Sequence, residues 1–107
     1  MDNEFFVAHF NADLVAHLED KDVLSIMLNP DGSLWIDTFT SGKSKIGSVD
    51  PIESFSIIDS IARSHGHNMT PASPIFDCEL PDGSLFAATI PPISKGPTFI
   101  ITKKVGS

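Results

Sequence analysis

The residues of this chain that could do chemistry are few, and their spacing argues against most known kinds of active site. Gly42, Lys43 and Ser44 look like the end of a phosphate-binding loop, but Asp37 stands where that motif requires another glycine. The motif also requires a helix that begins at the lysine, whereas residues 46–49 intervene here. Residues 40–48 are therefore predicted to be an exposed connector between a hairpin and a helix.

The histidines and the cysteine do not match the spacing of a metal site or of a nucleophile motif. His9 and His17 fall within about one helix face, and His65 and His67 lie in a predicted loop, but neither pair has further ligands at a suitable spacing. Cys78 lies on a predicted strand and is interpreted as a small core residue. No Ser-His-Asp arrangement or motif-spaced pair of carboxylates is present. The sequence therefore predicts no catalytic residue, no metal site and no cofactor in this chain.

Composition narrows the class of protein. The chain has 107 residues, 41% of them hydrophobic, which is enough for a single domain over residues 1–107. A linker is expected to begin near residue 103. Neither a signal peptide nor a run of about 20 apolar residues is present, so a soluble, cytoplasmic setting is expected.

The charge distribution limits the classes of molecule that this chain is expected to bind directly. The net charge is −7, and six of the acidic residues lie within residues 1–22. Nucleic acid and anionic lipid need clustered cations, so neither is expected as a direct partner. The uneven charge is interpreted as belonging to surfaces that face solvent. The alternative is that it favours head-to-tail packing of copies of the chain.

Two helices are predicted. Over residues 2–18, apolar side chains recur at steps of four, with Asp2 or Asn3 as the N-cap. This face, which includes Phe6 and Phe10, is expected to pack on the domain's own sheet, with docking on a neighbouring subunit or a membrane as the alternative. The second helix begins at Asp50, followed by Pro51, and ends at Gly66. Its predicted apolar stripe comprises Ile52, Phe55, Ile57, Ile58, Ile61 and Ala62.

The remaining segments are predicted to be strands. Two hairpins close at near-identical sequences, PDGSLW at 30–35 and PDGSLF at 81–86, because Pro-Asp-Gly favours a tight turn. Trp35 and Phe86 are expected to be equivalent aromatics that pack against the helices. Runs at 75–80, 85–90 and 98–103 are expected to form a three-stranded meander. The predicted fold class is α+β, a mostly antiparallel sheet of about five to six strands packed with an N-terminal helix and a second helix.

Two segments carry a resemblance to a known family. The helix end at Leu18, the charged break after it, and the run from Val23 through Asn29, Pro30, Asp31 and Gly32 to Asp37 resemble conjugal-transfer and type IV secretion ATPases of the TrbB type. The second segment runs from Phe86 through Pro91 and Pro92 to the strand around Phe99. The order and spacing of the two agree with that family over most of residues 10–104.

The resemblance implies a particular role. In the family, a domain of this kind builds one tier of a hexameric ring and precedes a RecA-like ATPase domain, with ATP and magnesium bound by the whole protein. It implies that Thr102, Lys103 and Lys104 lie near the nucleotide, although Thr102 stands where the family has an arginine. Phe6, Phe10 and Trp35 are the candidate interaction residues.

Two functions follow as expectations. The first is a non-catalytic N-terminal assembly domain of a type IV secretion or conjugal DNA-transfer ATPase. Its partners would be the ATPase domain of the same protein, neighbouring subunits and other secretion-machine proteins, with peripheral association at the inner membrane left open. The second is a stand-alone paralogue that acts as an adaptor or inhibitor of such a motor. A small-ligand sensor is a weaker alternative, and an independent enzyme is the least favoured.

Overall fold

A computed structural model describes residues 4–104 of the chain. Within that range the elements are, in chain order, α1 (Glu4–His9), α2 (Ala12–Glu19), β1 (Val23–Leu28), β2 (Ser33–Thr38), β3 (Gly42–Ser48), α3 (Pro51–Ser64), β4 (Ile75–Glu79), β5 (Leu85–Thr89) and β6 (Thr98–Thr102). The six strands form one antiparallel sheet in the order β3-β2-β1-β6-β5-β4. The predicted α+β class and the meander of β4, β5 and β6 are therefore confirmed.

The helices and one face of the sheet enclose the core. Leu14 on α2, Ile58 and Ile61 on α3, and Ile26 and Ile101 on the central strands are each 0% exposed. Fully burying an aliphatic side chain of this size contributes roughly 1.5–3 kcal/mol. The opposite face of the sheet has no helix of the described chain packed on it, and it is called the open face below.

The predicted first helix is divided in two. Asn11 interrupts it, because its side-chain oxygen accepts a hydrogen bond from the backbone N–H of Leu14 at 2.9 Å and caps a new helix. A single helix over residues 2–18 was thus wrong, although the apolar pattern correctly placed Phe6, Phe10, Leu14 and Leu18 in the core. The caps predicted at residues 2 and 3 lie outside the described residues.

The second predicted helix has the expected ends. Asp50 caps it through a 2.7 Å hydrogen bond from the N–H of Ile52, and Gly66 follows its end with φ +76°. Its predicted stripe was too wide, since Ile52 is 82% exposed and Phe55 is 37% exposed. The buried stripe is centred on Ile58 instead, and Ile52 lies about 120° from it around the helix at about 100° per residue.

The predicted connector at 40–48 is instead largely a strand. Residues Gly42–Ser48 form β3, which pairs with β2 along its length. Its glycine, serine and lysine residues have low strand propensity, but they suit an outer strand with exposed side chains. Pairing with a neighbouring strand overrode local preference here.

The two hairpins close with the same turn. In each, the aspartate side chain accepts a hydrogen bond from the N–H of the serine two residues later at 2.9 Å, and the glycine has φ +88°. The flanking pairs correspond as well, because Leu28 lies opposite Leu34 and Glu79 lies opposite Leu85.

The hairpins nevertheless present opposite faces to the core. Leu34 is 6% exposed, whereas its counterpart Leu85 is 57% exposed; Phe86 is buried, whereas Trp35 lies on the open face and is half-buried. The expected equivalence of Trp35 and Phe86 was therefore wrong.

Strand order explains this reversal. β1 and β5 both flank β6 and so run in the same direction, but β1 is the first strand of its hairpin and β5 the second of its own. The second hairpin is consequently related to the first by a rotation of about 180°. The rotation axis lies in the plane of the sheet and is perpendicular to the strands. That rotation exchanges the two faces.

Candidate functional site

The three residues expected near a nucleotide lie at and just after the end of β6, where their side chains diverge. The backbone N–H of Lys103 donates to the carbonyl of Leu24 at 2.9 Å, and its Nζ donates to the carbonyl of Asp20 at 2.5 Å. Thr102 is exposed on the open face, while the aliphatic part of Lys104 lies over Gly83 in the β4–β5 turn.

The electrostatics of this end of the sheet are mixed. Burial lowers the pKa of Lys103, and the nearby carboxylates of Asp20 and Asp82 act in the opposite direction to a smaller extent. The ammonium group is thus engaged within the chain, and the carboxylates beside it oppose a second anion. Among the described residues at this end of the sheet, hydrogen-bond donors do not converge on one point where a phosphate could bind.

The three candidate interaction residues lie in different environments. Phe6 and Phe10 are 5% and 6% exposed, and their stacked rings, 6.3 Å apart between centroids, belong to the core. Trp35 lies on the open face, where its indole N–H donates to the hydroxyl of Ser33 at 3.0 Å. Of the three, Trp35 alone is placed on a surface that a partner could reach without unpacking the core.

The open face is organised by a row of residues that crosses all six strands. Each member lies directly opposite the next in the antiparallel pairing. We call this the central row; from β3 to β4 it comprises Lys45, Trp35, Met27, Ile100, Ala87 and Asp77. A cation therefore stands at one end, a carboxylate at the other, and four apolar side chains lie between them.

The next row toward the end of β6 also has a lysine on β3 and a carboxylate on β4, but a second carboxylate, that of Asp37 on β2, lies beside the lysine. Lys43 on β3 lies opposite Asp37, and Glu79 on β4 lies opposite Leu85, with Ser25 and Thr102 on the two central strands between them. The β3 edge of the open face is thus basic and the β4 edge acidic.

The apolar part of this face is accessible. Ile75, Leu85 and Ile100 are 58%, 57% and 41% exposed, and Ala87 is exposed beside them. A shallow depression of about 410 Å³ lies on this side of the sheet; residues Met27, Ile75, Ala87 and Ile100 are among those that line it. Grouped apolar side chains on a sheet face are typical of a contact surface.

Sequence reasoning missed this face, although β5 and β6 carried a signal for it. Their sequences, LFAAT and TFIIT, are apolar at consecutive positions rather than at alternate ones. Continuous apolar runs are typical of strands covered on both faces. The runs were interpreted only as strands.

The histidines support no metal site. The rings of His65 and His67 pack on Phe76, with centroids 5.7 and 5.2 Å away, and His9 hydrogen-bonds the hydroxyl of Ser60. Among residues 4–104, no group of three or more His, Cys, Asp or Glu side chains is arranged to hold a metal ion. Nor is any helix in that range long and apolar enough to cross a bilayer.

Comparison with solved structures identifies the fold. It is similar to part of the VirB11 ATPase from the Brucella suis type IV secretion system, solved in complex with sulphate, with a TM-score of 0.77 and 18% identity. The match covers 88% of this chain and 30% of that one. At this identity the likeness defines the fold class alone.

Sequence comparison gives a closer relation. The chain is 36% identical over 92 residues to the conjugal transfer protein TrbB of Rhizobium radiobacter, and 32% identical over 92 residues to the probable conjugal transfer protein TrbB of Sinorhizobium fredii strain NGR234. Each match covers 85% of this chain but 28% of the relative, so the chain spans under a third of their length. No family model matches the chain. The resemblance to TrbB-type conjugal-transfer proteins is thus confirmed.

Proposed function

We propose that this chain is a non-catalytic assembly domain, N-terminal in its longer relatives, of a TrbB-type conjugal-transfer ATPase. The observation that carries the proposal is the 36% identity to TrbB over 92 residues, joined to a fold like that of part of the VirB11 ATPase. In this role the domain holds subunits in a hexameric ring on the cytoplasmic side of the inner membrane. ATP and magnesium are bound and hydrolysed by an attached RecA-like domain.

The chemistry of the described residues supports a structural rather than a catalytic role. Lys43 of the apparent phosphate-binding sequence lies on strand β3 and not at the start of a helix, so no helix N-terminus accompanies it. The ammonium group of Lys103, just after β6, donates a hydrogen bond to the backbone carbonyl of Asp20. An assembly domain needs neither group to act on a substrate.

A second function is favoured by the end of β6. Lys103 and Lys104 each carry a single ammonium group, which cannot bind a phosphate with two parallel hydrogen bonds as an arginine guanidinium can. The ammonium group of Lys103 already donates a hydrogen bond to the carbonyl of Asp20. A domain that contributes little to nucleotide binding fits a stand-alone adaptor or inhibitor of the motor. The two functions share a partner but differ in the length of the native protein.

Two measurements test the proposal. An antibody to this domain should detect, in the source cells, a band of about two or three domains, whereas a band near 11.5 kDa would favour the adaptor or inhibitor. The tagged 107-residue chain should also co-purify with a TrbB-type ATPase, and alone it should release no phosphate from ATP. A variant with Ile26→Asp, which places a charge in the core at a 0% exposed position, provides the unfolded control. Failure to capture the ATPase, or hydrolysis by the chain alone, would contradict the assembly function.

A further inference from the structure

The two edges of the sheet are complementary in direction. β3 and β4 are its edge strands, so one side of each has no neighbouring strand among the described residues. Because six antiparallel strands alternate in direction, β3 and β4 run in opposite directions. If a second copy of the chain lies beside the first in the same orientation, its β3 is antiparallel to the β4 of the first. Such a contact joins two different surfaces, and contacts of this heterologous type can close into a ring.

The backbone of β4 has hydrogen-bonding groups free on its outer side. At the end of the β4–β5 hairpin, the N–H of Leu80 donates to the carbonyl of Ser84 at 2.7 Å. Backbone groups of successive residues in an antiparallel strand point to opposite sides, so the even-numbered residues of β4 face β5. Asp77 and Glu79 therefore direct their N–H and C=O groups away from the sheet.

The backbone of β3 is exposed in the same way. In the first hairpin the N–H of Asn29 donates to the carbonyl of Ser33 at 2.9 Å, so the odd-numbered residues of β2 face β1 and the even-numbered ones face β3. Those even-numbered residues pair with positions 42 and 44 of β3. Lys43 and Lys45 therefore direct their N–H and C=O groups outward, as Asp77 and Glu79 do on the other edge.

One register between the two edges satisfies these groups and also pairs opposite charges. It sets Asp77 of one copy opposite Lys45 of the next, and in an antiparallel pair Glu79 then lies opposite Lys43. All four side chains are exposed on the open face. Opposite charges directly across from each other stabilise an antiparallel pair. Lys43 would lie between two carboxylates, that of Asp37 in its own sheet and that of Glu79 in the neighbouring copy.

The same register covers the core where it is incomplete. Ile46 on β3 and Phe76 and Cys78 on β4 are half-buried and pack against the core from the two edges of the sheet. The register places Phe76 level with Ile46 of the next copy, and Cys78 level with Ser44, on the side of the sheet that carries the helices. Apolar surface left exposed at each edge of a single copy would therefore be removed from water.

We propose that copies of this chain associate head to tail, with β4 of each copy paired with β3 of the next. Charge selects this arrangement, because two β3 edges would set lysine against lysine and two β4 edges carboxylate against carboxylate. β3 also contains an extra residue, Ile46, between the partners of Trp35 and Leu34. A bulge of this kind bends its strand, so the shared sheet is expected to turn at each junction, as a closed ring requires. The inference rests on the proposed assembly function and gives it a contact between neighbouring subunits.

A disulfide across the junction tests the register directly. Cys78 is the one cysteine, and Ser44→Cys places a second thiol opposite Cys78 of the next copy. This is a non-hydrogen-bonded pair, in which the Cα atoms lie about 4.5 Å apart, within reach of a disulfide. Within one chain the two positions lie on opposite edges, five strand spacings or about 24 Å apart, so they cannot bond internally. Mild oxidation should give a ladder of covalent species that ends at a hexamer of about 69 kDa, six times the 11.5 kDa chain.

Ser41→Cys is the matched control. Ser41 is also exposed, but it lies in the β2–β3 turn outside the paired stretch, so this variant should give at least about tenfold less cross-linked product. Peptide mapping of the Ser44→Cys product should find position 44 of one copy bonded to Cys78 of another. Equal yields from the two variants, or bonds that join like positions, would overturn the proposal. A ladder that continues past six would show an open filament and would overturn the ring arrangement.

A charge exchange tests the pairing of side chains. Added to Ser44→Cys, Lys45→Glu should reduce the cross-linking yield more than about threefold, because two carboxylates then face each other at every junction. Adding Asp77→Lys to the same chain should restore the yield, and no recovery would overturn the register. Both positions are exposed, so circular dichroism should show unchanged folding. The assays contain no ATPase, so if cross-linking fails while the chain still captures a TrbB-type ATPase, this inference falls and the proposed function stands.

Discussion

The reversed hairpins make a sharp prediction about stability. Leu34 and Leu85 occupy the same place in the sequences PDGSLW and PDGSLF and the same place relative to identical turns. Replacing either by alanine makes the same change in propensity and in unfolded-chain properties. The difference between the two variants should therefore report the face on which each side chain lies.

The magnitudes follow from burial. Leu34 is 6% exposed and packs in the core, so Leu34→Ala should lower the free energy of unfolding by about 2–5 kcal/mol. Leu85 is 57% exposed, and its removal leaves no internal cavity, so Leu85→Ala should cost less than about 1 kcal/mol. The variants should thus differ by roughly 3 kcal/mol.

Urea unfolding followed by the fluorescence of Trp35 measures this difference. At a typical slope of about 1–3 kcal/mol per molar urea, 3 kcal/mol separates the two midpoints by about 1–3 M. Midpoints that coincide, or a larger loss for Leu85→Ala, would show that the second hairpin is not turned over.

Three further predictions concern the turns and the titratable groups. Gly32→Ala should destabilise the fold more than Gly83→Ala. Both glycines have φ +88°, but a Cβ at Gly32 would lie 2.9 Å from a backbone carbonyl oxygen, whereas a Cβ at Gly83 would meet a flexible lysine side chain that can move. Equal urea midpoints for the two variants would contradict this prediction. Burial, and to a lesser extent the charge of His65, lowers the pKa of His9, so the unfolded chain binds more protons and stability should fall as the pH drops below about 6.5. The melting temperature of His9→Gln should depend less on pH over that range, and an unchanged dependence would exclude the assignment. Burial, and less strongly a neighbouring carboxylate, raises the pKa of the Cys78 thiol, so its alkylation by iodoacetamide at pH 8 should be slower than that of a free cysteine; an equal rate would show that the thiol is not shielded.

Elements with strong local signals were predicted closely. β1 and the ends of α3 follow the residues that favour them, since the proline at position 51, Asp50 as cap and Gly66 each act within one turn of the chain. The tight turns were also predictable, because aspartate and glycine at fixed offsets satisfy the backbone locally. Strand β3 was not, because its glycine, serine and lysine residues become a strand only when β2 is beside them.

The open face could likewise be predicted only in part from the sequence. The residues of its central row come from six strands that span positions 27 to 100, and no local pattern relates Lys45 to Asp77. Trp35 was singled out from the sequence, but its face was predicted incorrectly because an aromatic on a strand can point either way. The apolar runs of β5 and β6 indicated two covered faces without indicating what covers the second.

By itself, then, the sequence determined the class of fold, the turns, most of the strand positions and the resemblance to TrbB. These depend on interactions over a few residues, or on motif order along the chain. Tertiary structure alone decided which way each hairpin faces, because insertion of β6 between β1 and β5 sets the direction of both. It also decided that a lysine on one edge strand, a row of apolar side chains and an aspartate on the other edge strand share one exposed surface. Strand order and register are properties of the assembled sheet, and the sequence of any single strand leaves them open.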